Sequence, residues 1–168
     1  LRWVIPIAAY VNLFLRMTTK SNLPQIVAIG LVLLLVVVFL RAEGRMFICT
    51  CGHFALWTSD TCSSNTSQQL LDPYSFTHVL HGFLFFWLIA LLFRRMSSGW
   101  QVCLALLLEG AWEVFENTRF VIDKYRTETA ALGYTGDTIV NSFGDVMCAL
   151  VGFLIAAWWA FRRYRVGV

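Results

Sequence analysis

Two histidines and a series of carboxylates fall within or beside the apolar runs of this chain, at spacings that place each set on one face of a helix. His78 and His81 are spaced i, i+3. Glu109, Glu113 and Glu116 are spaced i, i+4, i+7 and are followed by Asn117. Asp137, Asn141 and Asp145 are spaced i, i+4, i+8. Residues at these intervals share one side of an α-helix. Imidazole nitrogens and carboxylate oxygens bind zinc or iron, and helix bundles build metal sites from such groups on facing helices. The expected ligands of a divalent transition metal, zinc or iron, are His78, His81, Glu109, Glu113 and Asp145. Asp137, Asn141 and Asn117 are the supporting polar groups. A bound metal would activate water and a carboxylate would serve as base, with Glu113 and Glu116 the candidate catalytic residues. Without a metal, a His–Glu pair can still move protons. The spacing is not specific, since a His pair at i, i+3 is common and no His-Glu-x-x-His run is present. The plainer alternative is a hydrogen-bond network that locks the helices together, with Arg119 or Arg126 as counter-ions.

The elements that position these residues follow from composition. The chain has 168 residues, enough for one domain; 58% are hydrophobic and only 14% charged, against roughly a quarter charged in soluble domains. The mean hydropathy is +0.67. The expectation is an all-α polytopic membrane bundle, a single membrane domain over residues 1–168 with four transmembrane helices at about 24–40, 74–93, 100–117 and 137–161. The stretch from Thr118 to Gly136 reads as a mixed-charge loop. A carboxylate at the centre of a bilayer helix costs about 2.5–3.5 kcal/mol, so the acids in these spans must be paired, hydrated or bound to something. Counting about 1.5 Å of rise per residue, the histidines, Glu109, Glu113, Asn141 and Asp145 reach one level, in one leaflet.

Lys and Arg near the helix ends set the orientation. Arg2, Arg16, Lys20, Arg94, Arg95, Arg162, Arg163 and Arg165 fall on one side, and Arg41, Arg45, Arg119, Lys124 and Arg126 on the other, eight against five. Both termini are therefore expected in the cytoplasm of a bacterium, with the protein in its inner (plasma) membrane and the polar cluster open to the periplasm. The net charge of +3 gives no case for a nucleic-acid partner. The partners implied are the lipid bilayer and a lipid head group or other membrane proteins. Met17-Thr18-Thr19-Lys20 resembles a natural start, which would make residues 1–16 upstream translation. The alternatives are an interfacial helix from Leu1 to Leu15 or a signal peptide.

Of the five cysteines, Cys103 and Cys148 fall in spans and read as packing residues. Cys49, Cys51 and Cys62 fall in the first outer loop. In an oxidising compartment the expected disulfide joins Cys62 to one of the other two, although Cys49-x-Cys51-x-His53 could bind a metal instead. Gly144, Cys148 and Gly152 make a small-xxx-small stripe that lets helix backbones approach closely.

Several runs carry a resemblance. They are Cys49-Thr50-Cys51-Gly52, Ser63-Ser64 with Ser67-Gln68, His78-Val79-Leu80-His81-Gly82-Phe83, Glu109-Gly110-Ala111-Trp112-Glu113-Val114-Phe115-Glu116-Asn117, Phe120-Val121-Ile122-Asp123-Lys124-Tyr125-Arg126, and Tyr134-Thr135-Gly136-Asp137-Thr138-Ile139-Val140-Asn141-Ser142 with Asp145. Together they resemble an uncharacterised inner-membrane protein family of alphaproteobacteria, a domain of unknown function. The resemblance covers nearly everything from Met17 onward; it implies a location and no chemistry. That family's loop reads Ser-Ser-Glu-Asn-Ser-Gln-His, whereas here Asn65, Thr66 and Gln69 stand in it, so an acid and a histidine are missing. The order of polar groups is more distantly similar to VanZ-like membrane proteins, which are linked to glycopeptide-antibiotic resistance. Two functions follow as expectations. One is metal-assisted hydrolysis or transfer on a lipid-linked or small periplasmic substrate. The other is a non-enzymatic VanZ-like lipid- or antibiotic-binding protein, or an assembly subunit of a membrane complex. A proton or ion pathway is a third.

Overall fold

The computed structural model describes residues 22–59, 65–128 and 133–166, with side chains as far as Arg162. The reading of residues 1–16, and the residue Cys62, lie outside the described residues. The described chain is all-helical: α1 Leu23–Ala42, α2 Ser75–Leu92, α3 Ser98–Glu116, α4 Arg119–Glu128 and α5 Ile139–Val166. Among the described residues three helices are long and apolar enough to cross a membrane: Leu23–Ala42, Ser75–Leu92 and Ile139–Arg162. The molecule is thus a helical membrane protein. Its exposed surface is rich in large apolar side chains such as Leu31, Leu34, Leu84, Leu88, Leu107 and Ile155, which bilayer hydrocarbon can cover.

The fourth expected span, α3, is not one of the three, because Glu109, Glu113 and Glu116 make it too polar by composition. It packs against α1, α2 and α5. The most extensive helix pair is α2 with α5. Glycines permit it: a Cβ at Gly82 would overlap the Ala149 carbonyl, and one at Gly152 would overlap the Val79 carbonyl. Gly110 lies against Val36 of α1. One end of the bundle is apolar, with Phe86, Ile89, Ala105, Phe153 and Ala156 packed together. The other end holds the polar residues.

The loops at that polar end are knitted together. α1 stops at Gly44, whose φ of 84° suits glycine. Its N–H reaches the Arg41 carbonyl while Arg45 N–H reaches Leu40, a Schellman ending. The chain then runs back over α5: the Met46 and Phe47 carbonyls accept the N–H groups of Ile139 and Val140, which have no partner within their own helix. Arg45 Nη1 donates to the Thr135 carbonyl at 2.6 Å.

Two expectations are corrected here. Thr118 to Gly136 is not all loop, because α4 forms within it and buries Val121 and Ile122. The last helix begins at Ile139, which leaves Asp137 just before it.

Candidate functional site

His78 is the hub. It leaves α2 three residues after Ser75, and its ring is buried among carboxylates of two other helices. Nδ1 lies 2.5 Å from Glu109 Oε1 and 3.2 Å from Glu113 Oε1, both of α3. Nε2 lies 3.8 Å from Asp145 Oδ2 of α5. His81 is half-buried one turn on, with Nδ1 3.3 Å from Glu109 Oε2. Ser75 Oγ donates to Asp145 Oδ1 at 2.7 Å. Glu109 and Glu113 are fully buried. Both oxygens of Glu113 and Oε2 of Glu109 lack a well-aligned hydrogen-bond donor, despite the nearby imidazoles.

A cavity of about 340 Å³ opens beside the histidines. His78, His81, Glu116, Asp137 and Asp145 stand on its wall with Trp112, Tyr74, Tyr125 and Tyr134. Glu109 and Glu113 are not on the wall and lie against the His78 ring. Among the described residues no Lys or Arg lines the cavity. Arg119 and Arg126, the expected counter-ions, are exposed. Among the described residues the one Lys or Arg ion pair is Lys124 with Glu128, on the surface of α4.

The supporting residues form a separate unit. Asn117 ends α3 and pairs with Asp137 in both directions: its Nδ2 donates to Asp137 Oδ2 at 2.6 Å, and Asp137 N–H donates to its Oδ1 at 2.7 Å. Tyr134 donates to Asp137 Oδ1 at 2.9 Å. Burial and the Asp137 carboxylate push the Tyr134 phenol above its usual range, so it remains a donor. Asn141 turns from the histidines and donates to the Gln69 carbonyl at 2.9 Å.

Groups not singled out in the sequence are also present. Asp72 accepts from Ser67 N–H, Ser67 Oγ and Tyr74 N–H, and it holds the turn that starts α2. Asp72-x-x-Ser75 is a helix-start pattern that could have flagged this turn. Ser67, buried on the cavity wall, has a φ of 58°, unusual for a side chain other than glycine. Nothing local in the sequence marks Ser67 or Trp112 as wall residues.

The loop cysteines differ from expectation. Cys49 is bonded to Cys51, two residues away, where a bond from one of them to Cys62 was expected.

A family described as "Protein of unknown function (DUF2585)" matches residues 40–166. The chain belongs to that family. Similar proteins include a UPF0314 protein of Agrobacterium fabrum, 48% identical over 78% of this chain and 66% of the relative. One of Paracoccus denitrificans is 42% identical over 84% and 72%. One of Sphingopyxis alaskensis is 39% identical over 83% and 75%. The chain spans about two thirds of the length of the first of these relatives. No solved structure matches it. Membership bears out the resemblance to an alphaproteobacterial family; it assigns no residue a role.

Proposed function

We propose that the cluster holds a divalent transition metal, zinc or iron, and that the protein carries out metal-assisted hydrolysis or group transfer on a lipid-linked or small periplasmic substrate. The observation that carries this reading is the imbalance of charge. Glu109, Glu113, Asp137 and Asp145 are buried, and no Lys or Arg compensates them among the described residues. Buried carboxylates require a proton or a cation. Two ligand groupings are spaced to hold a cation: His78, His81 and Glu109, and His78, Glu113 and Glu116, with the ligand atoms of each set within 4.8 Å of one another. Ligands about 2.0 Å from a tetrahedral zinc stand roughly 3.3 Å apart. The His78–Glu113 and His81–Glu109 separations, 3.2 and 3.3 Å, suit that geometry.

A bound cation would supply a Lewis acid and an activated water. Glu116, on the cavity wall, would accept a proton from water or substrate. Asp145, steadied by Ser75, would hold His78 from its other nitrogen. In this reading α3 is a fourth span, the membrane is the bacterial inner membrane, both termini are cytoplasmic, and the cavity opens to the periplasm.

A second reading rests on one distance. His78 Nδ1 to Glu109 Oε1, 2.5 Å, is shorter than two ligands of one metal and suits a shared proton. That favours a non-enzymatic role, as a VanZ-like lipid- or antibiotic-binding protein or an assembly subunit of a membrane complex. Elemental analysis of the purified chain in detergent separates the two. The expected result is about one equivalent of zinc or iron per chain, lost in His78→Ala. Folded protein without stoichiometric metal would remove the metal reading and leave the second.

A further inference from the structure

We infer that Cys49 and Cys51 form a thiol–disulfide exchange site, facing solvent beside the polar end of the bundle, whose substrate is an external thiol or dithiol. The inference is independent of the metal reading.

The bond is poorly suited to a structural role. It joins residues two apart, and the restraint a disulfide places on the unfolded chain grows with the loop it closes. This one closes almost none. Nor is it protected: Cys51 is exposed and Cys49 half-buried. Exposed disulfides are the labile ones.

The surroundings accommodate both redox states. Cys51 N–H donates to Cys49 Sγ at 3.0 Å, which favours a thiolate at Cys49. Cys51 Sγ lies 3.4 Å from the His53 carbonyl oxygen, an acceptor ready for a Cys51 thiol. The Gln69 side-chain amide stands 3.4 Å from Cys51 Sγ and 3.5 Å from His53 Nε2. Gln69 is itself fixed, because its Oε1 accepts Ala55 N–H and its carbonyl accepts Asn141 Nδ2. Reduction therefore leaves each sulfur with a partner already in place.

The exchange runs in two displacements. The thiolate of an external thiol attacks the exposed Cys51 Sγ, the Cys49–Cys51 bond breaks, and Cys49 leaves as the thiolate held by Cys51 N–H. A second external thiolate attacks the external sulfur of the mixed disulfide, and Cys51 leaves. Two external thiols become one disulfide, and the cysteine pair takes up their two electrons and two protons. The reverse sequence, with an external disulfide, restores the bond.

The test equilibrates the full chain in detergent with reduced and oxidised glutathione. Acid quenching, alkylation and mass spectrometry of the peptide carrying residues 49 and 51 then follow. Each tenfold change in [GSH]²/[GSSG] is expected to change the dithiol-to-disulfide ratio tenfold, as for a two-electron couple. Cys49→Ser is expected to collect glutathione on Cys51. Cys103 and Cys148, buried and half-buried, serve as the unreactive reference. The same titration in Cys62→Ser is expected to be unchanged. A pair that stays bonded at every ratio, an unreduced protein in which either residue is joined to Cys62, or loss of exchange in Cys62→Ser would each overturn the site.

Discussion

His78 is held from both sides of its ring. Nδ1 faces Glu109 and Glu113, and Nε2 faces Asp145. Glu109→Ala takes away the shortest of these contacts and leaves a buried gap, while Glu113 and Asp145 stay beside the ring. It is therefore expected to lose less than the ~3–5 kcal/mol of a pair left with no partner, on the order of 2 kcal/mol. Glu116→Gln, half-buried on the cavity wall, is expected to lose far less. Thermal unfolding of both variants in detergent measures the contrast, and equal losses would mean that Glu109 has no special partner. These residues were legible because an acid or histidine in an apolar run is rare and helical spacing fixes its face. Ser75, Tyr134 and Ser67 were not, because ordinary polar residues at helix starts and in loops acquire a role only through partners far along the chain. Asn141 shows the limit of spacing: it shares a helix with Asp145 but spends its amide on the Gln69 carbonyl.

At the scale of elements, α2 and α5 meet backbone to backbone. Gly82 and Gly152 each touch a carbonyl of the opposite helix so closely that no Cβ fits. Backbone cannot yield as a side chain can, so Gly82→Val is expected to cost about 3 kcal/mol or more, at or beyond the usual range for overpacking. Gly30, with nothing within 4 Å, supplies the contrast: Gly30→Val adds an apolar group facing open space and is expected to be tolerated. Folded yield and unfolding temperature of the two variants decide this, and an unharmed Gly82→Val would show that the helices are farther apart. The small-residue stripe of the last helix announced such a contact, although Gly144 meets the Leu70 carbonyl in a loop and only Gly152 meets α2. The helix α4 was hidden by its charges. Its apolar side is short, with Val121 and Ile122 buried, and Thr118, whose Oγ1 accepts Val121 N–H, is the local signal that could have marked its start.

For the whole molecule, α3 decides which side of the membrane each loop faces. Three spans are supported by length and composition alone; the fourth depends on where its glutamates point. Glu109 and Glu113 are buried beside His78 of α2, while Trp100, Leu107, Leu108 and Phe115 of the same helix are exposed. The insertion cost of a carboxylate, about 2.5–3.5 kcal/mol at a lipid-facing helix centre, falls when the group is paired inside a bundle. Such a helix can cross the bilayer that its composition argues against. Among the described residues that follow Gly99 up to residue 128, α3 is the one long helix, since α4 has ten residues and spans only about 15 Å, half the hydrocarbon thickness. A reporter fused at Gly99 is therefore expected on the side of Arg94 and Arg95, the cytoplasm, and a reporter at Ala131 on the opposite side with the cavity. Matching signals at the two positions would mean that α3 does not cross. The polar cluster would then lie at a membrane surface, with Glu109 and Glu113 still buried by the chain's own helices.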